Sequence, residues 1–309
     1  MSESSASPPP SRSVLITGGT GFVGSAIAKT LSDHDPRVLA RHATPDDHGR
    51  TRITGDVTDP ATLVGVCDGV ETLVHLVAII EERGDATFDR VIRQGTEHIL
   101  HEAQRAGVRN IVYMSALGAH DGPRYPYHRA KWQAEQAIVT SGIPHTILRP
   151  SIIFGPGDGF LSLLAGVVRA FPLTPVVGDG KAPFQPVHVD DVASIVTHAV
   201  DHPGAVGAGP HELGGPEVFT FEELIDLIRV ELGIHRPKVH LPVPLMRMVV
   251  KASSPLPRAI RPPVTREQLN MLELGNEARH SRTEELLGRP ARPLRGSLGY
   301  LRRASPGGT

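Results

Sequence analysis

Residues 13 to 31 read SVLITGGTGFVGSAIAKTL, an apolar β-branched run that passes straight into glycines and then into an amphipathic helical stretch. Gly18, Gly21 and Gly24 stand three apart. At a strand-to-helix turn, the first glycine permits the tight bend. The second lets backbone N–H groups approach a pyrophosphate, and the third seats the helix closely on the strand. The strand before and the helix after separate this pattern from a glycine-rich turn of purely structural use. The stretch predicts a dinucleotide site, with Thr20, Phe22 and Val23 beside the glycines.

Outward from that loop, short β-branched runs alternate with helical stretches, the pattern of parallel strands joined by crossover helices. Strands are expected at residues 14–17, 37–40, 52–54, 72–77, 110–115 and 145–149, and helices at 26–31, 60–66, 86–106 and 127–141. The predicted fold is α/β, a Rossmann-type doubly wound parallel sheet with a smaller, irregular C-terminal substrate region. Residues 1–12 read as a disordered polar tail, 13–150 as the NAD(P)-binding Rossmann domain, 151–303 as the substrate and lid region, and 304–309 as a second tail. The substrate region is expected to interleave with the first, because 187–200 reads as a short strand and capped helix that returns to the sheet. Ligands of such sheets bind at the carboxyl ends of the strands.

At the end of the second strand the usual acidic partner of a ribose 2′-hydroxyl is absent, and Arg41 followed by His42 stands there. A guanidinium suits a 2′-phosphate and an aspartate repels one, so NADP(H) is preferred and NAD(H) is the alternative. Asp56 and Val57 close the third strand, where a carboxylate accepts from the adenine amino group. Asp59, just before Pro60, is the better helix cap of the two aspartates.

Length and composition set the frame. The chain has 309 residues, 39% hydrophobic and 21% charged, enough for roughly two domains' worth of core. With 32 Lys plus Arg against 33 Asp plus Glu, the net charge of -1 argues against a generally basic nucleic-acid binder. One cysteine, Cys67, forms no internal disulfide, which points to a reducing cytoplasm. No apolar run approaches the ~18 residues of a membrane span, and MSESSASPPP lacks the charged and apolar regions of a signal peptide. The 16 histidines include no HExxH or clustered His/Cys spacing, so no metal site is expected.

The TGxxGxxG string Thr17 to Gly24 resembles the short-chain dehydrogenase/reductase superfamily in its extended and atypical, epimerase/dehydratase-like branches. His75 to Ala78 at the end of strand four, Gly95-Thr96 in the next helix, and Tyr127 and Lys131 four apart agree with it. So do Leu148-Arg149-Pro150 with Phe154-Gly155-Pro156, and His188 to Ala193. Within the superfamily, Met114 to Ala119 and Ile147 to Phe160 are similar to the group of the NAD(P)H-binding accessory subunit of respiratory complex I, whose relatives include factors linked to ubiquinone biosynthesis. The resemblance implies that Leu76, Val77 and Pro150 border the cofactor and that Lys131 holds the nicotinamide ribose.

Tyr127 and Lys131 project from one face of a helix, so an ammonium beside the phenol would lower its pKa from about 10 and ready it to exchange a proton with a carbonyl or alcohol. The third member of such a site is a hydroxyl that orients the carbonyl. Ser115 is the local candidate, and the alternative register puts Ala116 at that position. Asp190 and Asp191, ahead of an apolar helical run, read as a helix cap rather than a catalytic pair.

Residues 235–266 carry seven cations (Arg236, Lys238, Arg247, Lys251, Arg258, Arg261, Arg266) and no acid. With the apolar stretch 241–250 between them, this segment reads as a lid over the substrate cleft, or as a surface for an anionic membrane or respiratory complex. The apolar content of Ser151 to Asp158, Phe160 and Phe184 suggests a small lipophilic substrate. These features predict an NADPH-preferring oxidoreductase or epimerase-like enzyme acting on a lipophilic carbonyl or quinone-like substrate. It would be cytoplasmic, with a peripheral membrane position at the inner face as a further option. The alternatives are a non-catalytic NADPH-binding accessory protein of a respiratory or quinone pathway, and a redox sensor.

Overall fold

A computed structural model describes residues 12–42, 51–253, 269–270 and 274–303. Residues 1–11 of the tail expected at 1–12, the tail at 304–309, and residues 254–266 of the basic segment lie outside the described residues.

Strands that are apolar on both faces need cover on both faces, and crossover helices supply it. The strands β1 (Ser13–Thr17), β2 (Asp35–Ala40), β3 (Thr51–Thr54), β4 (Thr72–His75), β5 (Asn110–Met114) and β6 (His145–Pro150) follow in chain order. Shorter strands come later: β7 (Ile153–Phe154), β8 (Thr174–Val177), β9 (Pro183–Phe184), β10 (Val187–His188), β11 (His211–Leu213), β12 (Phe219–Thr220) and β13 (Lys238–Leu241). The main sheet has seven strands in the order β11-β6-β5-β4-β1-β2-β3, and every pairing is parallel. The winding reverses between β1 and β4, and a reversal of that kind opens a crevice at the carboxyl ends of the strands.

The longer helices among the described residues are α1 (Phe22–Thr30), α2 (Gly95–Ala106), α3 (Pro126–Thr140), α4 (Phe160–Ala170), α5 (Val189–Asp201), α6 (Phe221–Leu232) and α7 (Val243–Ser253). On one face of the sheet, Leu15, Leu73 and Ile111 pack with Ile99 of α2 and with Ala134 and Ile138 of α3. On the other, Val14, Val74 and Val112 pack with Ile27 of α1 and with Val192 and Val196 of α5. A third cluster joins Leu161 and Leu164 of α4, Phe184, and Leu224 and Ile228 of α6 into the core of a second lobe.

Three local expectations change. The helix expected over 60–66 is a single 3-10 turn, Pro60–Leu63, capped by Asp59 through the amide of Ala61 at 3.1 Å. The one expected over 86–106 begins at Asp89 with a π-helical turn, Asp89–Gln94, that runs directly into α2. Finally, residues 187–200 supply no strand to the main sheet. β10 pairs with β7 in a separate two-stranded sheet, α5 covers a face of the main sheet, and β11, which follows that helix, is the strand that pairs with β6. A parallel neighbour of β6 needs a crossover helix first, so the strand comes after α5 rather than before it.

Candidate functional site

The glycine loop and the carboxyl ends of β2, β3 and β4 enclose a cleft of about 820 Å³. Gly18, Thr20, Gly21, Phe22, Val23 and Gly24 line it from the loop and the first turn of α1. Arg41 reaches it from the end of β2, Asp56 and Val57 from the end of β3, and Leu76 and Val77 from the end of β4. Gly18 has φ +73, and a Cβ there would sit 3.2 Å from the amide nitrogen of Val77. At Gly24 a Cβ would lie 2.2 Å from the Gly18 carbonyl oxygen, so only hydrogen fits where α1 meets the loop. The Ser25 amide donates to the Gly21 carbonyl at 2.8 Å, and the helical amides before it have no partner within the helix. The first turn carries no acidic side chain, so its positive end is left for an anion. The cradle therefore fits a dinucleotide. Asp56 keeps acceptor capacity while one carboxylate oxygen takes the Thr58 amide and hydroxyl, both at 2.8 Å.

The far wall of the cleft is the segment after β4, including Ile79, Ile80, Asp85, Ala86, Arg90 and Val91. No motif marks it in the sequence. The only available signal is its position past the carboxyl end of a central strand.

Lys131 and Pro150 do not line the cleft. The Lys131 ammonium is buried, donates to the Met114 carbonyl at 2.7 Å and lies 5.0 Å from the centre of the Tyr113 ring. Burial pushes it down to about 7, partly offset by Glu135. Pro150 is buried at the end of β6, its carbonyl taken by the Leu117 amide at 3.0 Å. The half-buried Tyr127 packs edge-on against Phe88 and His128, with ring centres 5.7 Å and 5.3 Å apart. Its phenol is pushed up to about 12 by burial, not lowered by the lysine, because Lys131 is directed at Met114 and Tyr113.

Ser115 is also committed elsewhere. It is buried and donates a short hydrogen bond to Glu135, whose carboxylate also takes Arg149 Nε at 2.8 Å and Nη2 at 2.5 Å. A hydroxyl has one proton to give, so Ser115 cannot donate to a substrate oxygen while it holds this bond. Tyr127, Lys131 and Glu135 are spaced four apart on α3, and the two charged members face inward to backbone and side-chain partners.

His75 belongs to a buried chain under the cleft. The Leu76 amide donates to Thr17 Oγ1 at 3.3 Å, and Thr17 Oγ1 lies 2.6 Å from His75 Nδ1. On the other side, His75 Nε2 is 2.9 Å from Thr96 Oγ1, which donates to the Ile92 carbonyl at 2.6 Å. With the Thr96 proton spent on Ile92, the imidazole donates from Nε2 and accepts at Nδ1, which makes it neutral. Burial, reinforced by Lys131, holds it down at about 3.

Residues 14–212 match the sequence profile of the NAD dependent epimerase/dehydratase family. The chain belongs to that family. The "NADH dehydrogenase [ubiquinone] 1 alpha subcomplex subunit 9, mitochondrial" of Arabidopsis thaliana is 27% identical over 262 residues, covering 78% of this chain and 65% of that protein. The "Ceramide reductase" of Caulobacter vibrioides is 31% identical over 187 residues, covering 59% of this chain and 58% of that one. The chain thus spans less than two thirds of the length of either relative. Among solved structures, "MoeE5 in complex with UDP-glucuronic acid and NAD" superposes with a TM-score of 0.71 at 23% identity, covering 94% of this chain and 99% of that one, a likeness of fold.

In this epimerase/dehydratase-family chain, the residues expected to select a substrate are largely structural. Phe154 and Phe184 are buried in the second lobe, and Phe184 stacks on Phe160 and tilts against Phe221, both at 6.0 Å. Asp158, one residue before the α4 N-cap Gly159, accepts from the Leu161 amide at 2.7 Å and from the Tyr300 hydroxyl. The cap of α5 is His188, whose side chain accepts from the Asp190 amide at 3.1 Å, so neither aspartate is the cap. Asp191 is instead fully buried and takes Arg289 and the Arg292 amide, each at 2.7 Å, pinning the C-terminal segment to the helix.

The basic segment is less solvated than its composition suggests. Arg236 donates to the Val168, Arg169 and Phe171 carbonyls at the end of α4, and Lys238 bridges Glu222 at 2.5 Å and Asp226 at 2.8 Å. α7 packs Met246 and Val250 on the second lobe and exposes Leu245, Met248 and Val249. Among the described residues, no helix is long and apolar enough to cross a membrane.

Proposed function

We propose that this chain is an NADPH-preferring oxidoreductase acting on a lipophilic carbonyl or quinone-like substrate, with Tyr127 exchanging the proton. The observation that carries the reading is the cleft. Its glycine cradle fits a pyrophosphate, and from the end of β2 Arg41 lines it, a guanidinium that would suit a 2′-phosphate. When bound, NADPH supplies the hydride. The protein supplies the proton, and burial keeps the Tyr127 phenol protonated at neutral pH, the form needed to donate to a carbonyl oxygen becoming an alcohol. The ceramide reductase relative supports a lipophilic carbonyl over a nucleotide sugar.

The test is titration with NADPH and NADH, followed by optical monitoring of cofactor oxidation against quinones, ketones and aldehydes. NADPH should bind more tightly, Arg41→Ala should remove most of the difference, and Tyr127→Phe should cut turnover by about 10²- to 10⁴-fold with cofactor affinity retained. Equal affinity for the two cofactors in the unaltered protein would sink the NADPH preference.

A second reading, a cofactor-binding accessory protein of a respiratory or quinone pathway, is favoured by the commitment of Ser115 to Glu135 and by the complex I relative. The exposed apolar side of α7, with Lys251 beside it, is then the contact surface for a membrane or complex. On that reading NADPH binds tightly, no carbonyl oxidises it, and Tyr127→Phe changes nothing measurable.

A further inference from the structure

Among the described residues, four charged side chains line the cleft, Arg41, Asp56, Asp85 and Arg90, and together these four sum to no net charge. A dinucleotide brings at least two negative charges through its pyrophosphate, and a 2′-phosphate adds more. One of these four residues is arranged so that it can change partner. Arg90 Nη1 meets Asp85 Oδ2 at 4.0 Å, the outer limit of an ion pair, and Asp85 is 97% exposed. Contacts of that kind are weak and readily exchanged.

The neighbouring arginine on the same helical turn shows what a committed one looks like. Arg93 grips Asp89 through two nitrogens, at 2.5 Å and 3.0 Å, and Glu97 at 2.8 Å. Asp89 also takes Gln94 at 2.7 Å, so it offers little to Arg90. Asp85 itself sits on a tight turn closed by reciprocal Arg83 and Ala86 backbone bonds at 3.0 Å and 2.9 Å. The carboxylate is presented from that turn while the arginine hangs from the π-helical turn at the head of α2, a local geometry common at functional sites. The arginine is free to leave and the aspartate stays.

We propose that Arg90 is a phosphate-binding residue, a second cation beside Arg41 that leaves Asp85 and closes on a phosphate of the bound dinucleotide. The proposal rests on the dinucleotide reading of the cleft. The charge-assisted contact forms only with ligand present, and Asp85 competes with the phosphate for the guanidinium.

The experiment is calorimetric titration of the full chain and of Arg90→Gln, Asp85→Asn and Arg41→Ala with ADP and with 2′,5′-ADP. Arg90→Gln should weaken binding by about tenfold, a typical size for one charge-assisted contact. Asp85→Asn should tighten it by about two- to threefold, because a weak competitor is removed. Equal loss for both nucleotides places Arg90 on the 5′-phosphate that they share, loss confined to ADP places it on the second phosphate of the pyrophosphate, and loss confined to 2′,5′-ADP places it on the 2′-phosphate. Unchanged affinities in Arg90→Gln, or weaker binding in Asp85→Asn, overturn the proposal while leaving the cleft reading intact. Failure of the unaltered chain to bind either nucleotide overturns the cleft reading and the proposal with it.

Discussion

The glycine cleft and the inward side of α3 were both expected to serve one reaction, yet they are built differently. The cleft offers open groups: unpartnered helical amides, a glycine floor with no room for a methyl, and arginines that reach inward from the surface. The α3 side offers closed ones, with Lys131 on the Met114 carbonyl, Ser115 on Glu135, and Glu135 on Arg149. Open groups are poised for a ligand, whereas closed ones hold the protein together until something displaces their partner. The difference separates binding, which the cleft is prepared for, from catalysis, which the α3 side must be rearranged or supplemented to perform.

The sharpest way to break the comparison is to remove Glu135. Its side chain is 3% exposed and it neutralises Arg149, at 18%. Leaving one member of a buried pair without the other costs about 3–5 kcal/mol. Glu135→Ala should lose that much in chemical denaturation while the folded fraction still binds NADPH, because Glu135 does not line the cleft. A loss below about 1 kcal/mol would mean that the pair behaves like a solvated one and the α3 side is not closed.

The acid limb of stability comes next. An unfolded histidine takes up its proton near 6.5, whereas burial delays His75 to about 3 and His128 to about 4. Between those values the unfolded chain holds more protons, so stability falls as pH drops from about 6.5 toward 3, and these two groups add no slope above that window. Each tenfold difference in proton affinity between the folded and unfolded chains is worth about 1.4 kcal/mol, so the fall amounts to several kcal/mol. His75→Gln should flatten the slope below pH 6.5 in urea midpoints taken at stepped pH. An unchanged slope would mean that the imidazole is not held neutral between Thr17 and Thr96.

Two glycines test the cleft directly. Gly24→Ala places a methyl into the Gly18 carbonyl and should cost about 1–3 kcal/mol and abolish nucleotide binding. Gly166→Ala, inside α4 with nothing within 4 Å, should stabilise by up to about 1 kcal/mol and leave binding alone. Similar effects from the two would remove the argument that the loop is shaped for a ligand.

The same contrast explains what the sequence could tell. The positions of Gly18, Gly24 and Arg41 on the cleft were legible because they follow from backbone shape and from the ends of strands, both readable from spacing, and that of Val77 came from the family resemblance. Six sheet strands and the crossover helices were legible for the same reason, since apolar period and turn residues mark them. The partner that a polar side chain chooses was not legible. Ser115, Lys131 and Asp191 each stand where a motif puts them, and each finds a group far away in the chain, Glu135, Met114 or Arg289, that no local pattern announces. The wall at Ile79 to Val91 was missed because it works by proximity in the fold, and β11 was missed because three residues carry almost no periodicity.

The smallest predicted effect on turnover decides most about mechanism. Ser115→Ala removes one hydrogen bond to a carboxylate that still holds Arg149, so stability should drop by about 1.5–3 kcal/mol at most. If the hydroxyl is structural, the variant oxidises NADPH with an accepted carbonyl at the rate of the unaltered protein, within about twofold. An essential donor to a developing oxyanion would instead cost about 10²- to 10³-fold in turnover. A loss of that size would mean that ligand binding pulls Ser115 off Glu135, and the closed arrangement on α3 would then be the resting state of a site that opens as substrate arrives. Measuring the Arg149→Met variant alongside distinguishes the two cases. It frees the Glu135 carboxylate to hold Ser115 more tightly, so it should slow turnover only if Ser115 has to leave.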